Sequence, residues 1–231
     1  TGDGQLDILY HTGQWGGPNQ YRMDLYDYNL GSPTLVWTQT LTSTVEGYGS
    51  PAVADIDGNL PGGDPGPEIA IATSGALRVF NGEDGSPVWS TPIGLGRPGN
   101  VSIADVDGDG EIEIVAGVVF TTTTTDGRLY AFNADGSILW SVVALDNSPI
   151  NASVFDLDGD GAYEVAFNGA EQGLTIYDGH NGDVLFNDAC RAAGYREIDR
   201  VIVMRLDLPT FRLPIARNLR HVGTVRSPRA L

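Results

Sequence analysis

From residue 51 onward one polar–apolar pattern recurs three times. A short alternating stretch runs into an aspartate-rich turn in Pro51-Ala-Val-Ala-Asp-Ile-Asp-Gly58, Ser102-Ile-Ala-Asp-Val-Asp-Gly108 and Ser153-Val-Phe-Asp-Leu-Asp-Gly159. Each is followed by an acidic residue that leads an apolar run, at Glu68–Ala72, Glu113–Ala116 and Glu164–Phe167. A pair of apolar segments closes each unit: Leu77–Phe80 with Pro87–Trp89, Leu129–Phe132 with Ile138–Trp140, and Leu174–Tyr177 with Val184–Phe186. The residues between them, Asn81–Gly85, Asn133–Gly136 and Asp178–Gly182, are rich in types that tolerate positive φ, so each pair reads as a β-hairpin. Short alternating or continuous apolar runs between Gly- and Asp-rich turns predict four strands per unit and no helix.

The first aspartates of the three units, Asp55, Asp105 and Asp156, lie 50 and 51 residues apart. An earlier unit lacks its opening: Asp3–Leu9 matches Asp109–Val115, and Leu35–Trp37 matches the closing strand. Four antiparallel strands per repeat of this length are the arithmetic of a β-propeller, whose blades need neighbours to bury their faces. The expected fold is therefore all-β, with propeller blades at about residues 1–47, 48–98, 99–149 and 150–188, part of a larger ring. A β-sandwich is the structural rival, but it does not require such self-similarity. Because the chain opens inside a motif, at Thr1-Gly-Asp-Gly4, it is expected to be a fragment of a longer protein.

Charge narrows the partners. The 231 residues carry 30 acids against 13 basic residues, all arginine, for a net charge of −17. Residues 1–188 hold 27 acids and 4 arginines, whereas 189–231 hold 3 acids and 9 arginines, which sets a boundary near Asp188. So acidic a body repels nucleic acid and anionic membrane and attracts cations. The Arg-rich tail fits no repeat. It either docks on the acidic blades, binds a polyanion, or is non-native sequence from another reading frame, the last being preferred and predicting a disordered or poorly packed segment. Cys190 is the sole cysteine, so no intrachain disulfide forms, and no apolar run is long enough to span a membrane.

The aspartate turns are the candidate chemistry. Asp105, Asp107, Asp109 and Glu113 occupy relative positions 1, 3, 5 and 9 of one loop, with Gly108 and Gly110 between them and the carbonyl of Glu111 at position 7. Alternate residues of a tight loop can point inward, so the carboxylates converge and repel unless a cation sits among them. Hard oxygen donors in a flexible loop favour Ca²⁺ over Mg²⁺ or zinc. Asp156, Asp158, Asp160, the carbonyl of Ala162 and Glu164 repeat the spacing. In the second unit Asp55, Asp57 and Asn59 keep the start, but Leu60–Pro67 is inserted before Glu68, with Asp64 a substitute ligand; whether this loop holds metal stays open. An EF-hand is excluded, because position 12 is Ala116 or Phe167 rather than Glu and the flanks are strands.

Asp105-Val-Asp-Gly-Asp-Gly-Glu-Ile-Glu113 and Asp156-Leu-Asp-Gly-Asp-Gly-Ala-Tyr-Glu164 resemble the calcium loops of FG-GAP and VCBS-type repeats, bacterial relatives of the integrin α-chain propeller. The resemblance covers about residues 1 to 188. It implies a propeller with calcium held between the first two strands of a blade and partners bound on another face. A literal Phe-Gly-Gly-Ala-Pro motif is absent. The Leu129–Trp140 hairpin is also similar to hairpins of quinoprotein-type propellers.

Trp37, Trp89 and Trp140 recur at one hairpin position, with Phe186 as the fourth, and are expected to pack blade against blade. Trp15 lies outside this register and is the better exposed ligand contact. Asn100 and Asn151 head glycosylation-like triplets at the same repeat position, a coincidence of the repeat. His11, His180 and His221 show no ligand spacing, and no nucleophile, P-loop or dinucleotide motif is present. The reading that follows is a calcium-stabilised binding, adhesion or scaffold module, secreted or on the cell surface, whose partner is a glycan or a cell-surface protein. Two alternatives stay open: a polysaccharide lyase or hydrolase on the same propeller, and a subunit of a surface filament or sheath that self-assembles through blade edges.

Overall fold

The computed structural model describes residues 6–12, 19–29, 32–43, 49–58, 60, 62–63, 66–120, 127–146, 149–169 and 173–187. Trp15, Asn59, Asp64, the threonine run 121–125 and the tail from Ala189 lie outside them. Fifteen strands form four antiparallel sheets, and no helix is present among the described residues, so none is long and apolar enough to cross a membrane. The first sheet holds β1 (Leu6–Thr12), β2 (Asn19–Asn29) and β3 (Ser32–Ser43). The second holds β4 (Ala52–Ala54), β5 (Glu68–Thr73), β6 (Gly75–Asn81) and β7 (Pro87–Gly94). The third holds β8 (Arg97–Ala104), β9 (Glu113–Val119), β10 (Gly127–Phe132) and β11 (Ile138–Val143), and the fourth β12 (Ala152–Phe155), β13 (Glu164–Gly169), β14 (Gly173–Tyr177) and β15 (Val184–Asn187). Strands follow chain order across every sheet. The first has three described strands because Leu6–Thr12 aligns with the second strand of a unit, as β9 does.

The continuous apolar runs are explained by burial on both faces. In β5, Ile69 and Ile71 join Met23, Leu25, Trp37 and Leu41 of the first sheet, while Ala70 and Ala72 join Ile114, Ala116 and Val118 of the third. In β9 the alternate residues Val115 and Val119 turn the other way, onto Val165 and Phe167 of the fourth. Period-two geometry thus lets one strand serve two interfaces. Each middle sheet is the shared wall of two cores, the face-to-face stacking of propeller blades.

Two contacts index each sheet on the next. At the outer side, every last strand carries a bulge one residue before its aromatic: Val36, Val88, Leu139 and Leu185 are the extra residues in the register. The bulge turns the following tryptophan toward the neighbouring sheet. There Trp37 Nε1 donates to the Gly82 carbonyl at 2.9 Å, Trp89 to Ala134 at 2.9 Å and Trp140 to Gly179 at 2.6 Å. The acceptors lie in the hairpin turns, whose closing glycine has positive φ and lies under the indole. At Gly136, with φ 83°, a Cβ would sit 2.7 Å from Trp89 Cδ2. At the inner side, Asn100 Oδ1 accepts from the Ser50 amide and Asn151 Oδ1 from the Asn100 amide, each at 2.8 Å.

This docking gives a graded prediction for urea unfolding. Trp89→Phe removes one hydrogen bond and leaves a carbonyl unmatched, an expected loss of about 1 kcal/mol. Gly136→Ala adds a strained backbone and an overlap with the indole, an expected loss of at least about 2 kcal/mol. Equal midpoints for the two variants and the unaltered chain would remove the docking from the stability account.

Candidate metal centre

Each acidic loop connects the first two strands of a four-stranded sheet, and its glutamate opens the second strand. Glu113 is 1% exposed and its Oε2 accepts the Val106 amide at 2.8 Å. Glu164 accepts from Leu157 at 2.7 Å, and Glu68 from Ile56 at 2.7 Å and Asp57 at 3.2 Å. The glutamate therefore folds the loop back over the strand end through a charge-assisted bond to its backbone.

The aspartates wrap the loop from within. Asp105 Oδ2 accepts from Gly110 N at 3.1 Å and Asp107 Oδ1 from Asp109 N at 3.2 Å. In the fourth sheet Asp156 accepts from Gly159 at 2.6 Å and Gly161 at 3.2 Å, and Asp158 from Asp160 at 3.2 Å. In the second, Asp55 Oδ1 accepts from Gly58 at 2.9 Å. Gly108 and Gly110, at φ 74° and 90°, take the left-handed turns that this wrapping requires.

Three groups of ligand-capable oxygens result: Asp55, Asp57 and Glu68; Asp105, Asp107 and Glu113; Asp156, Asp158 and Glu164. Within each group the oxygens lie within 4.8 Å of one another. Such groups could hold a metal ion. Asp109 and Asp160, expected at position 5, are outside the groups: their Oδ1 atoms accept from the amides of Glu111 at 2.8 Å and Ala162 at 2.9 Å. Glu111 and Ala162 thus enter the loops through their N–H groups. The inserted second loop still gathers its three carboxylates, while Asn59 and Asp64 lie outside the described residues.

Two observations bear on whether a cation fits. Asp105 Oδ1 is buried and accepts no hydrogen bond. Glu113 is pushed up to about 7, first by burial, against the opposing Val106 hydrogen bond, and then by repulsion from Asp107 and Asp109. Asp107 and Glu164 are also raised, chiefly by burial. An ion among these oxygens would reverse both effects. The donors are all oxygen, the set suited to a hard cation.

Sequence reading missed the part played by the adjoining sheet. A Cβ on Gly108 of the third-sheet loop would sit 3.3 Å from Ala162 Cβ of the fourth-sheet loop, and a Cβ on Gly179 would overlap the Val106 carbonyl. His180, in the same turn as Gly179, has its Nδ1 3.4 Å from Asp178 Oδ1. Repeat alignment alone places His180 with Glu83 and Asp135, so the position was available to be found.

Stacked antiparallel sheets, each latched to the next by a hairpin tryptophan and carrying an acidic loop at one end, define a β-propeller. The chain belongs to the family described as outer membrane protein assembly factor BamB, whose model matches residues 22–208 and so runs past Asp188. The Leu129–Trp140 hairpin lies within that match. Among solved structures, the rhamnogalacturonan lyase YesW is similar at TM-score 0.52 and 18% identity, over 80% of this chain and 48% of that one. Bacillus licheniformis rhamnogalacturonan lyase PL11 is similar at TM-score 0.51 and 21% identity, over 78% of this chain and 28% of that one. The chain thus spans less than half the length of either, and the likeness is one of fold. No curated protein matches the sequence.

The raised Glu113 carboxyl predicts an unusual pH response. Its folded-state value of about 7 exceeds the ordinary 4.5, so ion-free protein holds more protons than the unfolded chain between these values. Its stability contribution is full below about pH 4.5 and is lost as pH rises through about 7. In chelator, the urea midpoint should fall across this window, and Glu113→Gln should flatten the fall. A midpoint that rises there in the unaltered protein, with no change in Glu113→Gln, is the contrary result.

Proposed function

We propose that the chain is a calcium-stabilised binding module working outside the cytoplasm, secreted or on a cell surface, with a glycan or a cell-surface protein as its partner. The observation that carries this reading is the recurrence of one carboxylate group in three successive sheets, each at the same loop and each closed by a buried glutamate. The oxygen-only donor set and loop flexibility favour Ca²⁺, which is plentiful outside cells. The FG-GAP and VCBS-like spacing of Asp105–Glu113 and Asp156–Glu164 supports the same ion. The family takes its name from an assembly factor, and assembly is a binding role.

When bound, the ion neutralises the converging carboxylates and ties the loop ends together; the residues that hold it are Asp105, Asp107 and Glu113, then Asp156, Asp158 and Glu164, then Asp55, Asp57 and Glu68. Binding to the folded form stabilises it by mass action, about 2.7 kcal/mol per site at one hundred times the dissociation constant. Melting followed by circular dichroism should therefore rise with Ca²⁺ and fall with chelator. Asp107→Asn and Asp158→Asn should each remove part of the rise, and the double variant more. A melting temperature indifferent to both Ca²⁺ and chelator would overturn the assignment.

A second reading, a polysaccharide-active enzyme, is supported by the two lyases that share the fold. Incubation with acidic and neutral polysaccharides separates the two. Retention without chain cleavage supports the binding module, and cleavage replaces it with a lyase or hydrolase.

A further inference from the structure

The outer strands differ in how they guard their free edges. β3, β7, β11 and β15 each pair on one side only among the described residues. A free edge presents unpaired amides and carbonyls, and proteins protect it with charge, proline, bulges or brevity. None of the four strands carries a charged residue. β7 is blunted by Pro87 and Pro92 and by a second register break beside Gly94. β11 has six residues and β15 four.

β3 is different. It has twelve residues, its only proline is Pro33 at the start, and its only bulge is at Val36. From Trp37 to Ser43 it runs in unbroken register with Asn19–Leu25. Trp37 and Leu41 are buried against the second sheet, whereas Thr38 and Thr40 are exposed on the opposite face. Past the bulge the strand is thus a seven-residue edge in unbroken register, rich in threonine, with no proline, charge or further bulge of its own.

We propose that Trp37–Ser43 is a self-association edge, on which a second copy of this chain lays its own β3 antiparallel, about a two-fold axis at Thr40. A second copy is the occupant that the strand's own symmetry fits, because the threonines at 38, 40 and 42 are spaced evenly about Thr40. The net charge of −17 makes two copies repel, which confines their contact to surfaces without acids, and this strand carries none. Antiparallel pairing about a two-fold axis is closed, so assembly stops at a dimer, and it sets threonine against threonine, a favourable cross-strand pair. The inference does not depend on which ion the loops hold.

Sedimentation velocity on the full 231-residue chain, in calcium-containing buffer over a rising concentration series, tests it. The unaltered protein should pass from monomer to dimer. Thr40→Glu and Thr40→Lys should each weaken self-association by at least about tenfold, because like charges meet at the axis. Their melting temperatures should match the unaltered protein, since Thr40 is solvent-exposed. An equal mixture of the two variants should dimerise again, which a merely misfolded variant cannot do. A protein that stays monomeric throughout, an open-ended polymer, a dimer that survives either single variant, or a mixture that stays monomeric each overturns the proposal.

Discussion

The docking of one sheet's outer tryptophan on the next sheet's hairpin turn is the contact on which the remaining geometry depends. It requires a bulge to aim the indole, a carbonyl at a fixed place in the turn, and a glycine where any Cβ would meet the ring. The turn is held in place in its own right: Gly82 N donates to the Pro67 carbonyl at 2.9 Å, immediately before Glu68 opens β5. The indole therefore grips a turn already tied to the acidic loop of the same sheet. Through that turn, the loop of the second sheet is positioned relative to the first.

The loops are balanced between backbone and charge. A buried glutamate costs free energy unless its oxygens are matched. One oxygen finds the loop amide, and Glu113, Asp107 and Glu164 are raised first by burial and then by repulsion from the neighbouring aspartates. The loop is thus folded by hydrogen bonds that bring together groups whose charges oppose that folding. Such an arrangement stores its instability at one point, where a single cation would act on all three carboxylates at once. The close approach of the Gly179 turn to the Val106 carbonyl extends the consequence to the adjoining sheet.

Much of this was legible in the sequence because the repeat registers chemistry as well as strands. The hairpins, the aromatic position and the carboxylates at loop positions 1, 3 and 9 follow from spacing, since a tight loop of fixed length between paired strands leaves few ways to point its side chains. Asp109 and Asp160, at position 5, accept the amide two residues on, as Asp107 and Asp158 also do, but lie outside the three carboxylate groups. Asn100 and Asn151 were read as a coincidental triplet, while in the fold their amides join the inner strands of adjoining sheets. A contact between sheets is set by their relative placement, which no single repeat contains. The inserted second loop shows the reverse: extra residues between Asn59 and Glu68 left the three carboxylates together, because strand pairing of Ala54 with Glu68 fixes both ends of the loop.

Where the protein places its arginines completes the electrostatic logic. All four in the described residues lie on strands: Arg22 on β2, Arg78 on β6, Arg97 at the start of β8 and Arg128 near the start of β10. The last two occupy strand ends remote from the acidic loops, and Arg22 is committed to Asp24, with Nε 2.7 Å from both carboxylate oxygens. No guanidinium faces the three carboxylate groups from within their loops. A fixed arginine there would neutralise the aspartates permanently and leave the loops rigid at any ion concentration. Amide hydrogen bonds compensate only part of the charge. A cation bound there would supply the remaining compensation reversibly, and the stability of the folded loops would then follow the cation concentration around them.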